Sequence, residues 1–385
     1  MIQGVTPLKT KKFVEIITDS AFYDYPRMQR RFPDDFKAAL KHHNALFCAA
    51  LPLRDADGKP VLRSGRCPGT PSRIVRLLCE KHDGGFGLKA AEDEIYSSLK
   101  LDGTETERES VRKILRGEAP QDKKEEQIER LAKAIAFISD KSRKMTKENF
   151  DALYRLLFPD EKSSGRFYRE SSPSERLPVS PYSEPSSISD RMDELCAFAQ
   201  SDDDADEPQN AAAILFYIMY LCPYPKGNAC IARLAALWYL VTRGCCGTLF
   251  VPFSALILET EDEYRESLRA VQDNKKAGGT FELMPFIDYM QQNVYRRMTA
   301  EVTHETASLI FDDCMQSGGV TPKEQQLWQF VTSHYGAQDF STKQLEKDCG
   351  DAAYATIRAF VMKFESMGLL TCAKMGNRVR YSVRQ

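Results

Sequence analysis

Histidine is scarce in this chain, five in 385 residues, and no two of its eleven cysteines stand in C-x-x-C spacing. With this spacing and so little histidine a zinc site is not indicated, and an odd cysteine number does not indicate a disulfide framework. Net charge is missing too. The 53 basic and 55 acidic side chains leave a formal charge of -2, so a role on nucleic acid or anionic lipid needs a local patch. Nor is there a long apolar run: residues 211–221 (AAAILFYIMYL) reach about half of the roughly 20 that a bilayer span needs. The opening residues MIQGVTPLKTKK lack an apolar signal core. Together these absences lead us to expect a cytoplasmic protein that contacts no membrane.

What is present is an ordinary globular composition, 42% hydrophobic and 28% charged, with length enough for two or three domains. Most of the first half has helical spacing of apolar residues, over 35–49, 92–100, 108–115, 125–138 and 188–198. Residues 147–157 join them, with Thr146 as N-cap. Residues 55–72 read as an exposed loop. Residues 163–189 are rich in Ser and carry four prolines, which bar a helix. They are either a linker or a short extended hairpin bearing Phe167, Tyr168, Leu177 and Val179. The acidic run SDDDADE at 201–207 reads as a solvated loop, because it lacks the spacing and the Gly of a calcium loop.

The segment LCPYPKGNACIARLAALWYL, residues 221–240, carries the chemistry. Pro223 and Pro225 bar a helix, Gly227 permits a positive φ, Asn228 tolerates one, and from Ala229 onward the residues are strong helix formers. The result is a tight loop entering a helix, with amides and the positive dipole end facing outward as an anion site. Lys226 on the rim and Arg233 one turn inside add charge. A plain helix corner without a ligand has the same spacing, so both readings stay open.

Residues 221–233 resemble the signature loop HxFx(D/E)GNGRxxR of the Fic family, and the phrase IMYLCPYPKGNACIAR around them follows its local framing. The framework is kept in Pro223, Tyr224, Gly227, Asn228 and Arg233. Cys222 stands in place of the family's His, Lys226 in place of its acidic residue, Ala229 in place of its second Gly and Cys230 in place of its first Arg. The resemblance implies what each change removes. The His is a general base on a protein hydroxyl, the acid holds magnesium against nucleotide phosphates, and the first Arg neutralises phosphate charge. A thiol at Cys222 is a poor base unless its pKa falls, and the ammonium of Lys226 repels a metal ion, so magnesium is not expected. The ligand implied is ATP or another nucleotide, and the expected phosphate-binding residues are Lys226, Gly227, Asn228, Ala229 and Arg233.

Other stretches are similar to the same family. Residues 94–115 (EIYSSLKLDGTETERESVRKIL) resemble the helix bearing its inhibitory motif (S/T)xxxE(G/N), with Ser98, Asp102 and Gly103 in the matching places. That motif's acid pairs with the last Arg of the signature, here Arg233. Residues 165–192 resemble the flap hairpin and following helix, which implies a protein target docked along 165–185 by strand addition. Residues 248–298 resemble the helical region beyond the signature. Residues 321–385 read as three helices and a hairpin turning at 375–377, and resemble a winged helix. Its basic residues Arg358, Lys363, Lys374, Arg378 and Arg380 suit DNA phosphates, with Arg384 on the tail, while protein contact is an even alternative.

The five histidines, His42, His43, His82, His304 and His334, are expected in packing or surface roles rather than as a transplanted base. Cys222 is expected as a buried small hydrophobe, with a reactive thiol at a helix-dipole site as the alternative; Cys245 and Cys246 are read as core. The expected chain is mainly α, with an N-terminal helical region over 1–90 and a Fic-like domain with a β-hairpin flap over 91–300. A linker over 301–320 and a winged helix over 321–385 complete it. Its expected function is that of a degenerate Fic-family regulator without conventional AMP transfer. The alternative is an unconventional transferase that puts AMP or another phosphate-bearing group on a protein hydroxyl.

Overall fold

The computed structural model describes residues 10–64, 88–160, 168–173, 177–201, 206–245, 248, 251–298, 311, 314–315, 318–335, 339–350, 352–375 and 378–384. Gly165, Phe167, His82, His304, Cys246, the acids at 202–204, residues 65–72 and the turn at 376–377 lie outside them. As expected, the architecture is mainly helical. In chain order the first half runs α1 (Thr10–Ile17), α2 (Tyr25–Arg31), α3 (Phe36–Phe47), β1 (Cys48–Arg54), β2 (Pro60–Ser64), α4 (Leu88–Leu101), α5 (Arg108–Leu115), α6 (Lys123–Ile138), α7 (Lys147–Leu157) and α8 (Ile188–Gln200). Then come α9 (Glu207–Leu221), α10 (Asn228–Thr242), α11 (Phe253–Glu259), α12 (Glu261–Gly278), α13 (Met284–Tyr289), α14 (Pro322–His334), α15 (Thr342–Cys349), α16 (Tyr354–Ser366), β3 (Leu370–Met375) and β4 (Arg378–Val383). The described residues form two compact units, one from 1–75, 140–244 and 256–295, the other from 76–139, 245–255 and 296–385.

The first unit is built around the pair α9 and α10. Asp206 caps α9 by accepting from the amide of Gln209, and a proline in its first turn starts the helix where no amide bond is lost. Every residue from Pro208 to Leu221 is then buried, as are nearly all of α10 from Cys230 to Val241. A helix that is apolar all round has no solvent face, so it becomes the centre of its unit. Each fully buried large side chain there contributes roughly 1.5–3 kcal/mol. The few polar groups are paired. The Trp238 ring nitrogen donates to the carbonyl of Arg143, and the Tyr239 hydroxyl donates to Glu207 and accepts from Asn210. Thr146 caps α7 through the amide of Asn149, and α7 packs Phe150 on Trp238 with ring centroids 5.2 Å apart.

Residues 55–64 depart from the exposed loop expected of them. They are the turn and second strand of a hairpin, because Asp55 is 1% exposed and accepts from the amides of Asp57 and Lys59, while Gly58 takes φ 72°. Lys275 of α12 holds both Asp55 and Asp57. On the far side of β2, Leu62 exchanges backbone bonds with Phe281 and Leu283 at 2.8 and 3.0 Å. No strand forms among the described residues of 168–184. The amide of Arg169 donates to Pro223 and that of Tyr182 to Tyr220, which fixes this segment on the end of α9 rather than on itself.

In the second unit α4, α5 and α6 pack on one another, and Glu92 of α4 binds Arg108 and Arg112 of α5. The C-terminal part has its own core, including Trp328, Phe340, Leu345, Ile357, Phe360, Phe364 and Tyr381. A capping box of Thr321 and Glu324 starts α14, Ser341 caps α15, and Gly350 ends it at φ 71°. Phe340, between α14 and α15, exchanges backbone bonds of 2.8 Å with Tyr381 and so adds a third extended position beside β3 and β4.

One carboxyl ties the first unit together in a pH-dependent way. Glu282 is fully buried, and its Oε1 accepts from the amides of Ser64 and Met284 at 3.2 and 3.1 Å. Burial pushes its pKa up to about 8. The folded chain therefore holds a proton that the unfolded chain releases near 4.5, so this group's stability contribution falls as pH rises from about 4.5 to about 8. Glu282→Gln, an amide of the same shape, is expected to flatten that slope in melting temperature over the window. An unchanged slope would contradict it.

Candidate functional site

The loop between α9 and α10 takes its shape from four residues. Cys222 ends α9 at φ 47° and ψ 60°, the one non-glycine residue with positive φ among the described residues. Gly227, at φ 77°, turns the chain into α10, and Ile231 makes the first helical bond back to its carbonyl. Between them the Asn228 amide closes the turn: Oδ1 accepts from the Tyr224 amide and Nδ2 donates to the Tyr224 carbonyl, each at 2.8 Å. The tolerance for positive φ read at Asn228 is thus unused. It belongs to Cys222 instead, which the residue type gave no reason to expect.

The fourth residue, Arg169, was not foreseen. It is 5% exposed and spreads its guanidinium over carbonyls at the end of α9, with Nε donating to Cys222 at 2.6 Å and Nη2 to Leu221 at 3.3 Å. Nη2 also donates to Tyr182 at 2.6 Å and Nη1 to Ser171 at 2.9 Å. Burial lowers its pKa, yet the guanidinium stays charged and meets the negative end of the α9 dipole. An Arg in a stretch rich in Ser and Pro, with Arg166 and Arg176 nearby, was its only sequence signal.

The remaining expected residues divide by exposure. Lys226 is exposed, with its ammonium 5.3 Å from the centroid of the Phe158 ring; Gly227 and Ala229 are half-buried. Cys230 is 6% and Arg233 2% exposed, so Arg233 belongs to the interior of α10 rather than to the rim. Cys222 is fully buried, as expected of a small hydrophobe. Its backbone caps the C-terminal end of α9, not a helix N-terminus.

Beneath the loop Tyr224 is fully buried and stacks on Tyr154 at 4.2 Å and 8°, with Tyr168 at 5.9 Å. Burial raises the pKa of Tyr224 and Tyr168, and the nearby charge of Asp151 adds to both. Burial also raises Asp151 itself, to about 6.

Ser98 is buried on α4, while Asp102 and Gly103 form the end of that helix. Thr104 donates to Leu99 and Gly103 to Lys100 with Gly103 at φ 77°, a Schellman closure that by itself explains the glycine. Asp102 lies in the second unit and Arg233 in the first. Of the C-terminal basic residues, Arg358 is exposed on α16, but Lys363 is bound to Glu324 at 2.7 and 2.9 Å. Arg380 donates to Gln344 at 3.2 Å. Lys374 and Arg378 lie on β3 and β4, with side chains outside the described residues.

This loop, with its buried helices on either side, falls within a recognised family pattern: residues 144–240 match the model of the Fic/DOC family. The chain carries a Fic/DOC family domain. It is also similar to a solved Fic family protein from Desulfovibrio desulfuricans G20, at 14% identity and a TM-score of 0.44 over 99% of this chain and 98% of that one. A Fic domain containing signaling protein from Bacteroides thetaiotaomicron is 19% identical with a TM-score of 0.45, over 61% of this chain and 91% of that one. Fic-1 from C. elegans is 17% identical with a TM-score of 0.47, over 62% and 73%. No curated protein matches the chain.

Within the Fic/DOC domain the tightest packing constraint is at Gly227. A Cβ there would stand 2.2 Å from two ring atoms of Phe158, on a backbone that L side chains rarely adopt. Gly227→Ala is expected to lower stability by about 2–4 kcal/mol, from backbone strain plus overpacking. Combined with Phe158→Ala the two losses should add to less than their sum in chemical unfolding. A near-neutral Gly227→Ala would contradict this reading.

Proposed function

We propose that this Fic/DOC domain is a degenerate member of its family: an anion cradle that has lost conventional AMP transfer and acts as a nucleotide-responsive, partner-contacting regulator. The observation that carries the reading is the loop's division of labour. Gly227 and Asn228 keep the backbone in its turn, so the first-turn amides of α10, which have no carbonyl one turn back in the helix, stand with the positive dipole end as the groups an anion would use. The groups that would act on a ligand there are a buried thiol and an exposed ammonium. A fully buried Cys222 is out of reach of a target hydroxyl's proton, so it is a poor general base. An ammonium at 226 does not fit magnesium, whose ligands are oxygens, so no step is routed through that metal. It does suit phosphate, as a point charge on the rim.

The alternative, a transferase with an unusual donor, rests on the same cradle and needs a base from elsewhere. The C-terminal module's order of helices, bridging residue and hairpin supports a winged-helix reading. Its exposed Tyr354, Met362 and Val379, with Lys363 tied to Glu324, favour protein over DNA as what it contacts. Salt-sensitive retention of duplex DNA by the full chain would contradict that preference.

Titration calorimetry with ATP, with and without magnesium, tests the proposal. Arg233→Ala removes a buried charge and disturbs the fold, whereas Lys226→Ala changes an exposed group, so the two are read together. Binding that is independent of magnesium and weakened by Lys226→Ala is expected. Absence of binding under every condition would leave the cradle vestigial and overturn the reading.

A further inference from the structure

We propose that Arg169 is a positioning residue that makes the signature loop and the stretches 169–173 and 177–182 one mechanical element, so that whatever binds either one is felt by the other. The geometry is a clasp. One guanidinium reaches the carbonyls of Ser171 and Tyr182 on the segment and those of Leu221 and Cys222 at the end of α9. Backbone bonds run parallel to it, from Arg169 to Pro223 and from Tyr182 to Tyr220, at 2.9 and 2.8 Å. The segment is anchored at its other face too: Val179 is fully buried and the amide of Ser180 donates to Gln272 at 3.1 Å.

Charge and burial make the clasp all-or-none. A guanidinium 95% removed from water must keep its carbonyl partners, and helix-terminal carbonyls buried with it have no solvent to turn to. Cys222 shares the dependence. Its left-handed backbone is unfavourable for any residue with a Cβ, and the bond from Arg169 Nε to its carbonyl holds it there. If the segment leaves, the guanidinium loses two of its four carbonyls and Cys222 loses its restraint. If the loop reshapes around an anion, the segment's closure at Tyr182 loosens. This coupling is independent of whether the anion is a nucleotide.

Hydrogen exchange of the full chain tests it in Arg169→Gln, which keeps polarity but not the fork, and in Arg169→Lys, which keeps charge but not the fork. Exchange at residues 168–173, 177–184 and 221–230 should quicken together, by about ten- to a hundredfold in the glutamine variant and less in the lysine variant. The amides of α8 and α12 should be unchanged. In a Cys222→Gly background, where glycine holds positive φ unaided, the effect at 221–230 should shrink while that at 177–184 persists. Quickening in the segment alone, or uniformly through the first unit as for a mere stabilising residue, would overturn the proposal. If the glutamine variant does not fold, the lysine variant and the Cys222→Gly background still decide between these outcomes. Failure of ATP to bind bears on the function proposed above and not on this coupling.

Discussion

Two helices buried on every side have to be joined by a turn that cannot rely on water. That constraint governs the first unit. The last carbonyls of α9 are covered, so Arg169 supplies donors from a segment far away in sequence. The backbone of the turn is closed by the Asn228 side chain, whose two bonds to Tyr224 replace the ladder that a hairpin would have. Gly227 is needed twice over, for its positive φ and because the Phe158 ring occupies the place of a side chain.

Seen in these terms, the family signature divides by physical task. The residues shared with the pattern, Gly227, Asn228, Tyr224 and Arg233, are half-buried or buried, and the first three shape the loop. Those that differ are Cys222, Lys226, Ala229 and Cys230, of which Lys226 is exposed, Ala229 half-buried and the two cysteines buried. A chain can therefore keep the recognisable half of the motif for stability alone. Retention of Gly227 and Asn228 is not evidence of transfer, and the exposed rim around Lys226 is where ligand chemistry has to be sought.

Local signals made much of this legible in the sequence. α5 and α7 fall at their expected bounds because a charge pattern and an apolar stripe agree in both, and Thr146 caps α7. The turn at Gly227 and the order of helices and hairpin in the C-terminal module were legible for the same reason. What escaped depends on distant partners. The helix expected over 35–49 stops at Phe47, because Cys48 onward pairs with β2. Asp55 is buried because Lys275 stands over the turn, and Arg169 is a clasp because carbonyls 52 and 53 residues away need one. The apolar spacing of a segment carries none of that information.

The account stands or falls on whether the first turn of α10 still faces a ligand. Backbone amide shifts of Gly227, Asn228 and Ala229, followed by NMR during ATP titration without magnesium, measure that most directly. The account predicts saturable shifts at these three amides, with smaller movement at 169–171 and 182 through the Arg169 clasp. Shifts confined to other parts of the chain, or none at any ATP concentration, would contradict it.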